Sequence, residues 1–428
     1  MTAGAQAGAS ETADAVHSVA TAGAVFAELT GQEIAVDQLQ RAVAASQAQG
    51  GDEASVSAGA AGLGTAGMTH AWLFTGPPGS GRSLAARAFA AALLCEWQGC
   101  GQCQSCHQVA GGTHADVLLV RPDGLSYGVR QTRDLVLKAA AAPIYGRWRI
   151  VLFEDADRST EQAANALLKA IEEPAPRTVW LLCAPYADDL PTTIRSRCRL
   201  VTLRTPRTAA VAEVLGRDGV PAERARSAAL AAQGHIGRAR RLATDPEAAR
   251  RRAEVLRVPT QVGSLGQALK SAAALVRAAE AEAAAVMEEL DEPERQALRR
   301  AFGEGSTGKG VASALRGGAG ALRELEDRQK SRATRVKRDS LDRALLDLAG
   351  YYRDVLAIQL RASVELANET RDEELAQLAA TSGPADTVRR IEAIMRCRQR
   401  VAANVAPLLA VEEMTLALAS PVRPASSS

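Results

Sequence analysis

Aromatic side chains are scarce in this 428-residue chain, since Phe, Trp and Tyr together make up only 3% of it. Cores built from sheets rely strongly on β-branched and aromatic side chains, whereas this sequence is rich in alanine, the best helix former. We therefore expect a mainly helical protein that packs through small side chains.

The chain also lacks any apolar run long enough to span a bilayer, and its N-terminus lacks the basic and apolar regions of a secretory signal. Its formal net charge of +2 excludes a strong overall attraction to nucleic acid or membrane and leaves only local patches for such contacts. We expect a cytoplasmic protein without membrane contact. The length allows two or three domains, each with its own core.

A glycine-rich segment is the strongest motif. Residues 71–75 read AWLFT, residues 76–83 read GPPGSGRS, and an Ala/Leu-rich segment follows from Leu84 to Leu94. A strand, such a loop and a helix in this order bring backbone N–H groups onto an anion at the helix N-terminus, so a phosphate-binding loop is predicted rather than a simple tight turn. Its nucleotide-binding residues would be Gly76, Pro77, Gly79, Ser80, Gly81, Arg82 and Ser83.

Arg82 is unusual for a phosphate-binding loop. Such loops generally carry a lysine there, whose slim ammonium group reaches the β- and γ-phosphates, and a planar guanidinium group does not fit in the same way. ATP with Mg²⁺ is therefore expected to bind weakly at most, and intrinsic hydrolysis to be weak or absent.

Three further apolar runs, at Val117 to Val120, Arg149 to Phe153 and Val179 to Cys183, have the composition of strands. Glu154 and Asp155 follow the second run, where a nucleotidase places the carboxylates that hold Mg²⁺. The alternation of strands and helices from 70 to 203 predicts a doubly wound α/β domain with a parallel sheet.

Four cysteines lie within twelve residues, at Cys95, Cys100, Cys103 and Cys106. Thiolates this close can surround one tetrahedral Zn²⁺, whereas disulfides between neighbours would strain the loop. We predict a closed structural zinc site, with a redox role as the residual alternative. His107 and His114 are interpreted as surface histidines rather than ligands.

The remaining sequence predicts the domain organisation. Beyond Pro206 the strand pattern ends, and long Ala/Leu/Arg/Glu helices follow, broken by glycine-rich joints near 303–319 and at 382–384. The predicted segments are a disordered tail at 1–22, a nucleotide-binding domain at 23–205 with a flexible insertion at 47–67 and the cysteine module at 95–106, a small helical domain at 206–246, a helical domain at 247–419 and a disordered tail at 420–428.

Two segments of the C-terminal part allow more than one interpretation. Residues 303–309, GEGSTGK, match most of a phosphate-loop pattern, but Gly310 replaces the Ser or Thr that binds Mg²⁺ and no strand precedes them. The segment from Arg328 to Arg338 contains six basic residues and is either a solvated helix face or a contact for DNA phosphates.

Four motifs together resemble the bacterial clamp-loader AAA+ subunits of DNA polymerase III: FTGPPGSGRS, the four-cysteine insertion after the loop helix, NALLKAIEEP at 165–174 and LPTTIRSRC at 190–198. The resemblance spans roughly residues 24–245. The chain departs from the motor subunits at Arg82, at Glu154 and Asp155, and at Ala184 and Pro185, where a polar sensor is expected. The motif at 234–238 resembles a second sensor, with Arg238 one place late.

The resemblance implies a nucleotide-binding AAA+ domain, a helical lid and a helical collar that assembles into an open five-membered ring. It implies that Arg197 is an arginine finger acting on a neighbour's ATP, the alternative being that Arg197 only pairs with a surface carboxylate, and that Arg238 lies near the nucleotide. The implied partners are the gamma and tau motor subunits and the delta subunit, with the sliding clamp and primed DNA reached through the complex. The chain would then be a non-motor accessory subunit of a polymerase holoenzyme.

Two other functions remain open at this point. The chain could be an active motor-type clamp-loader ATPase in which Arg82 substitutes for lysine. It could also be an AAA+ ATPase that acts outside replication, in repair or recombination.

Overall fold

The computed structural model describes residues 22–48, 67–122, 124–301 and 311–419. Four predicted features therefore lie wholly or largely outside the described residues: the tail at 1–22, the insertion at 47–67, the glycine-rich stretch at 303–309 and the tail at 420–428. Of the insertion, Gln47 and Ala48 close a helix.

A five-stranded parallel sheet organises the N-terminal half, as predicted. The strand order is β2-β3-β4-β1-β5, with β1 hydrogen-bonded to β4 on one side and to β5 on the other. The central strands are buried along their whole length, which explains their continuous apolar sequences. The strands are β1 (Ala71–Thr75), β2 (Val117–Val120), β3 (Arg149–Phe153), β4 (Thr178–Ala184) and β5 (Arg199–Thr202).

Helices make up most of the rest, and the C-terminal half of the described chain is entirely helical. They are α1 (Glu33–Ala48), α2 (Arg82–Leu94), α3 (Gln104–Ala110), α4 (Val129–Ala139), α5 (Glu161–Glu172), α6 (Thr192–Arg195), α7 (Thr208–Arg217), α8 (Ala222–Ala232), α9 (Ile236–Thr244), α10 (Pro246–Val255), α11 (Val258–Gln261), α12 (Leu265–Ala301), α13 (Val311–Gln359), α14 (Asp372–Thr381), α15 (Pro384–Ala402) and α16 (Pro407–Ala419). Short 3₁₀ turns lie at Ala24–Phe26, Ala156–Arg158, Ala187–Asp189 and Glu369–Arg371.

The chain divides into two compact units. The first comprises Met1–Pro122, Ser126–Gly219 and Gly234–Arg238, and the second comprises Asp123–Leu125, Val220–Gln233 and Ala239–Ser428. In the first unit, one apolar cluster lies between the sheet and α1 and α2, and another lies on the opposite face against α4 and α5. The second unit has a core of its own from the long helices. The predicted domain bounds stay predictions.

Two expectations about local structure were wrong. The glycine-rich joint was expected to extend to residue 319, but α13 already begins at Val311. His114 was expected at the surface but is only 5% exposed, and its Nδ1 accepts the backbone N–H of Asp116 at 3.1 Å. Burial lowers the pKa of His114, which keeps the ring neutral and able to accept this bond.

Candidate nucleotide and metal sites

The phosphate-binding loop has the backbone that its sequence predicts. It connects the end of β1 to the start of α2, and Gly79 (φ +88°) and Gly81 (φ +92°) have left-handed conformations that favour glycine. A Cβ at Gly79 would lie 2.5 Å from His235, so the loop packs closely against this histidine. The N–H of Gly76 donates to the carbonyl of Pro185 at 3.0 Å, which ties the loop to the chain after β4.

Arg82 does not extend from the loop. Its guanidinium group donates to the carbonyl oxygen of Gly76, within the same loop. The guanidinium group therefore bonds to the loop's own backbone, and its effect on nucleotide binding stays a prediction.

Glu154 follows β3 as predicted, but its carboxylate contacts two arginines. Arg121 Nε lies 2.8 Å from Glu154 Oε2, and Arg87 Nη2 lies 3.1 Å from Oε1. Glu154 is only 8% exposed. Burial by itself would raise the pKa of Glu154, but the hydrogen bonds and charges of Arg121 and Arg87 outweigh it and hold the pKa below its usual value.

The groups beside Glu154 offer little to a metal ion. Asp155 has a left-handed backbone (φ +49°), and its carboxylate lies 3.9 Å from Arg158 Nε. Burial, followed by the negative charge of Asp155, raises the pKa of Asp157. Within the described chain, the only group of His, Cys, Asp and Glu residues placed to hold a metal is the cysteine cluster.

The four cysteines converge as predicted. Their sulfur atoms lie within 4.8 Å of one another, and none forms a disulfide. Cys95 Sγ lies 3.7 Å from the Sγ atoms of both Cys100 and Cys103. Four sulfurs about 2.3 Å from a tetrahedral zinc are separated by about 3.8 Å, whereas a disulfide bond is about 2.05 Å long. The donor set therefore fits zinc.

Backbone N–H groups also point at Cys100 Sγ and favour its thiolate, whereas burial raises the pKa of Cys103 and of Cys106. The N–H groups of Gln102 and Cys103 lie 3.5 Å and 3.3 Å from Cys100 Sγ. Burial would raise the pKa of Cys100, but these bonds outweigh it and lower the pKa. Cys95, Cys100 and Cys106 are buried in the first core, so a metal here would join α2 and α3 without an open position for chemistry.

Arg197 follows α6 and is partly exposed. Its Nη2 lies 2.7 Å from Glu172 Oε1 at the end of α5, with the side chains 40% and 42% exposed. Its Nη1 also donates to the carbonyl of Thr193 at 2.8 Å. An ion pair this exposed contributes at most about 1 kcal/mol, so Glu172 holds Arg197 only weakly.

Arg238 lies in the first turn of α9, and its N–H donates to His235 Nδ1 at 3.2 Å. Because His235 packs on Gly79, the predicted second sensor is adjacent to the phosphate-binding loop. Its backbone is thus near the site; a role of its side chain stays a prediction.

The basic segment from Arg328 to Arg338 lies on α13 and is largely paired with carboxylates. Arg332 contacts Asp291 at 2.7 Å and Glu294 at 2.6 Å, and Lys337 pairs with Glu280. This pairing favours the solvated-face interpretation over a DNA contact. Across the described residues, no helix combines the length and the apolar character needed to cross a membrane.

Sequence reasoning missed the partners Arg87 and Arg121, and it allowed for a surface carboxylate at Arg197 without identifying Glu172. Arg121 directly follows the last residue of β2, and polar residues at the carboxyl ends of neighbouring parallel strands come together at one edge of the sheet. That position was a usable signal. Arg87 and Glu172 lie inside or at the end of helices, where no comparable signal exists.

A parallel sheet with a glycine-rich loop between its central strand and a helix defines the P-loop class of nucleotide-binding proteins. The family described as "DNA polymerase III, delta subunit" matches residues 57–207, a region that holds the loop, the four cysteines and Arg197. The predicted resemblance is thereby confirmed for this region.

Individual relatives agree. The chain is 39% identical to the DNA polymerase III subunit delta' of Pseudomonas aeruginosa over 160 residues, covering 36% of this chain and 49% of that one. It is 31% identical to the delta' subunit of Bacillus subtilis over 194 residues, covering 45% and 59%. The chain thus spans about half the length of these relatives.

A gamma/tau subunit and a solved structure are also similar. The gamma/tau subunit of Mycobacterium tuberculosis is 35% identical over 164 residues, covering 36% of this chain and 28% of that one. A gamma-subunit-related protein from Thermotoga maritima is 17% identical, with a TM-score of 0.36 and coverage of 82% and 93%.

Proposed function

We propose that this chain is a delta-prime-type subunit of a bacterial DNA polymerase III clamp loader. It helps to load the sliding clamp onto primed DNA, supplies Arg197 in trans to a neighbouring ATPase subunit and hydrolyses little or no ATP itself. The observation that carries the proposal is the match of residues 57–207 to the clamp-loader family, together with the delta' relatives.

The surroundings of Arg197 support its role as a finger. A guanidinium group supplied in trans stabilises charge on the transferred phosphoryl group, which is worth about 10³ to 10⁵ in rate for GTPases. Arg197 is exposed enough to reach a neighbour, and its partner Glu172 is a single, exposed carboxylate. Phosphoryl oxygens carry more negative charge and form paired hydrogen bonds with a guanidinium group, so Arg197 would exchange Glu172 for them.

The chain's own loop supports a minor role for ATP. Arg82 is bound to the loop carbonyl, Glu154 to two arginines, and Ala184 and Pro185 present no polar side chain after β4. The first turn of α2 still offers backbone N–H groups to an anion, so weak ATP or ADP binding remains part of the proposal.

Zinc would be held by Cys95, Cys100, Cys103 and Cys106. In a closed four-thiolate site the metal supplies folding free energy and no catalysis. The N–H groups directed at the sulfurs compensate part of the charge of four thiolates.

The remaining parts of the proposal follow the family. We assign residues 23–205 to the AAA+ domain, 206–246 to the lid and 247–419 to the collar. The partners are the gamma/tau motor subunits and the delta subunit in a five-membered ring, with the clamp and primed DNA reached through that complex. The proposed location is the cytoplasm, where replication takes place.

Reconstitution tests this proposal. A complex of gamma/tau and delta should load the clamp onto primed DNA only when this chain is added, while the chain alone should turn over ATP no faster than background, even with clamp and DNA. The match to gamma/tau supports a motor subunit as the second candidate. Turnover by the chain alone at a motor subunit's rate would favour that candidate and contradict ours.

A further inference from the structure

Glu154 lies where a P-loop ATPase holds its Mg²⁺, yet both of its carboxylate oxygens accept hydrogen bonds from arginine. Oε2 accepts from Arg121 Nε at 2.8 Å, while Oε1 accepts from Arg87 Nη2 at 3.1 Å and from Arg121 Nη2 at 3.4 Å. These are charge-assisted bonds to a group that is almost fully buried.

The three residues come from three different elements. Glu154 follows β3, Arg121 follows β2, and Arg87 lies in α2, the helix that begins at the phosphate-binding loop. The contacts therefore connect the loop helix to the ends of two adjacent strands. Because none of the three residues belongs to the loop itself, a substitution of any of them would change how the loop helix is held and leave the loop sequence unchanged.

A magnesium ion does not fit this arrangement. Mg²⁺ requires near-octahedral oxygen ligands at about 2.0–2.1 Å, and protein carboxylates usually provide its anchor. At Glu154 it would have to displace a guanidinium group, and displacing that of Arg87, whose side chain is 30% exposed, would leave a partly buried cation without its partner. Asp155, the other candidate, already lies near Arg158.

We propose that Arg87 and Arg121 take the place of Mg²⁺ at Glu154, so that the trio is an arginine clamp that fixes the loop helix to the sheet without metal or nucleotide. Glu154 is then a positioning residue and not a metal ligand. This goes beyond the proposed function and holds whether or not Arg197 acts on a neighbour.

The test is the thermal stability of the full chain in buffer without Mg²⁺, nucleotide or chelator, so that zinc stays on the cysteines, for Glu154→Gln against Glu213→Gln, an exposed glutamate on α7. Glutamine keeps one oxygen acceptor but loses the charge. The clamp predicts that Glu154→Gln lowers the melting temperature by on the order of 5 °C and that Glu213→Gln leaves it unchanged. A metal ligand predicts the opposite, since removing a buried carboxylate beside Asp155 relieves repulsion when metal is absent.

A double-mutant cycle separates the clamp from a general effect of burial. Arg121 is half-exposed, so Arg121→Ala should fold, and Arg130→Ala on the exposed face of α4 is its matched control. Glu154→Gln should cost much less in the Arg121→Ala background than in the wild type. Additive effects would overturn the proposal, as would a melting temperature of Glu154→Gln equal to or above the wild type.

If Glu154→Gln yields no folded protein, Arg121→Ala alone decides. A melting temperature below that of Arg130→Ala in the same Mg²⁺-free buffer supports the clamp. An equal or higher value contradicts it.

Discussion

The cysteine cluster and the phosphate-binding loop lie in the same unit and at the two ends of the same helix, α2, but their side chains behave differently. At the C-terminal end, four sulfurs converge with a spacing that suits one tetrahedral ion. At the N-terminal end, Arg82 has bound the loop carbonyl and Glu154 has bound Arg87 and Arg121. The four sulfurs are arranged so that they could hold a metal ion, whereas the charged groups beside the loop bond to one another and to the loop backbone.

The difference teaches that a motif predicts a backbone more surely than a binding site. The glycines require a loop of this shape whatever the charged residues do. Whether the loop can bind MgATP depends on which partners the charged side chains find. Each prediction below tests one side of this contrast, from the largest expected effect to the smallest.

Zinc should be present at about one ion per chain, and Cys103→Ser should lose most of it and lower the melting temperature, because coordination free energy is folding free energy. Metal analysis of protein purified without chelators measures this. Cys198→Ser is the control, since Cys198 lies outside the cluster and burial raises its pKa to about 12, so that it stays a thiol. Absence of zinc from the wild type would contradict the interpretation of the four cysteines as a metal site.

The arginine clamp should depend on pH in a defined direction. The pKa of Glu154 is lowered in the folded chain, so its contribution is present above the unfolded value of about 4.3 and is lost as the pH falls through the folded pKa. The difference in melting temperature between the wild type and Glu154→Gln should therefore shrink on acidification below about pH 4. A difference that grows in acid would contradict the lowered pKa.

Arg82→Lys should not create an ATPase. The lysine restores one group, but Glu154 stays bound by two arginines, and Ala184 and Pro185 still lack a polar side chain. We expect turnover by the isolated chain to remain at background, with nucleotide affinity changed by less than about tenfold, as measured by calorimetry with and without Mg²⁺. ATP turnover by this variant at the rate of a motor subunit would show that Arg82 alone prevents hydrolysis.

Glu172→Gln should give the smallest change. Removing the exposed partner of Arg197 lowers the free-energy cost of moving the guanidinium group to a neighbour. The ATPase activity of the complex should therefore rise, by at most a few fold, because exposed ion pairs are weak. Glu173→Gln, next to it and exposed, is the matched control. A loss of activity as large as that of an arginine deletion would mean that Glu172 itself takes part in the reaction.

Much of the fold was predictable because its signals are local. The strands at Val117 to Val120 and Arg149 to Phe153 have the predicted bounds, and the four cysteines are close in sequence as well as in space. The contact between Arg87 and Glu154 was not predictable, because the two residues are 67 positions apart. Long arginine side chains reach partners that no spacing rule specifies, and His114 was misplaced because burial depends on what packs around it.

Arg197→Ala in the reconstituted complex tests the central claim most directly, namely that this chain acts on a neighbour's nucleotide rather than on its own. With saturating ATP, clamp and primed DNA, assembly and ATP affinity should stay nearly intact while stimulated hydrolysis falls. The fall should be partial, since we expect the other sites of the ring to have fingers of their own. Arg197→Lys should rescue poorly, since an ammonium group lacks the forked donors. Arg195→Ala, in the preceding helix α6, should have little effect. Wild-type ATPase and clamp-loading rates with Arg197→Ala would contradict the account.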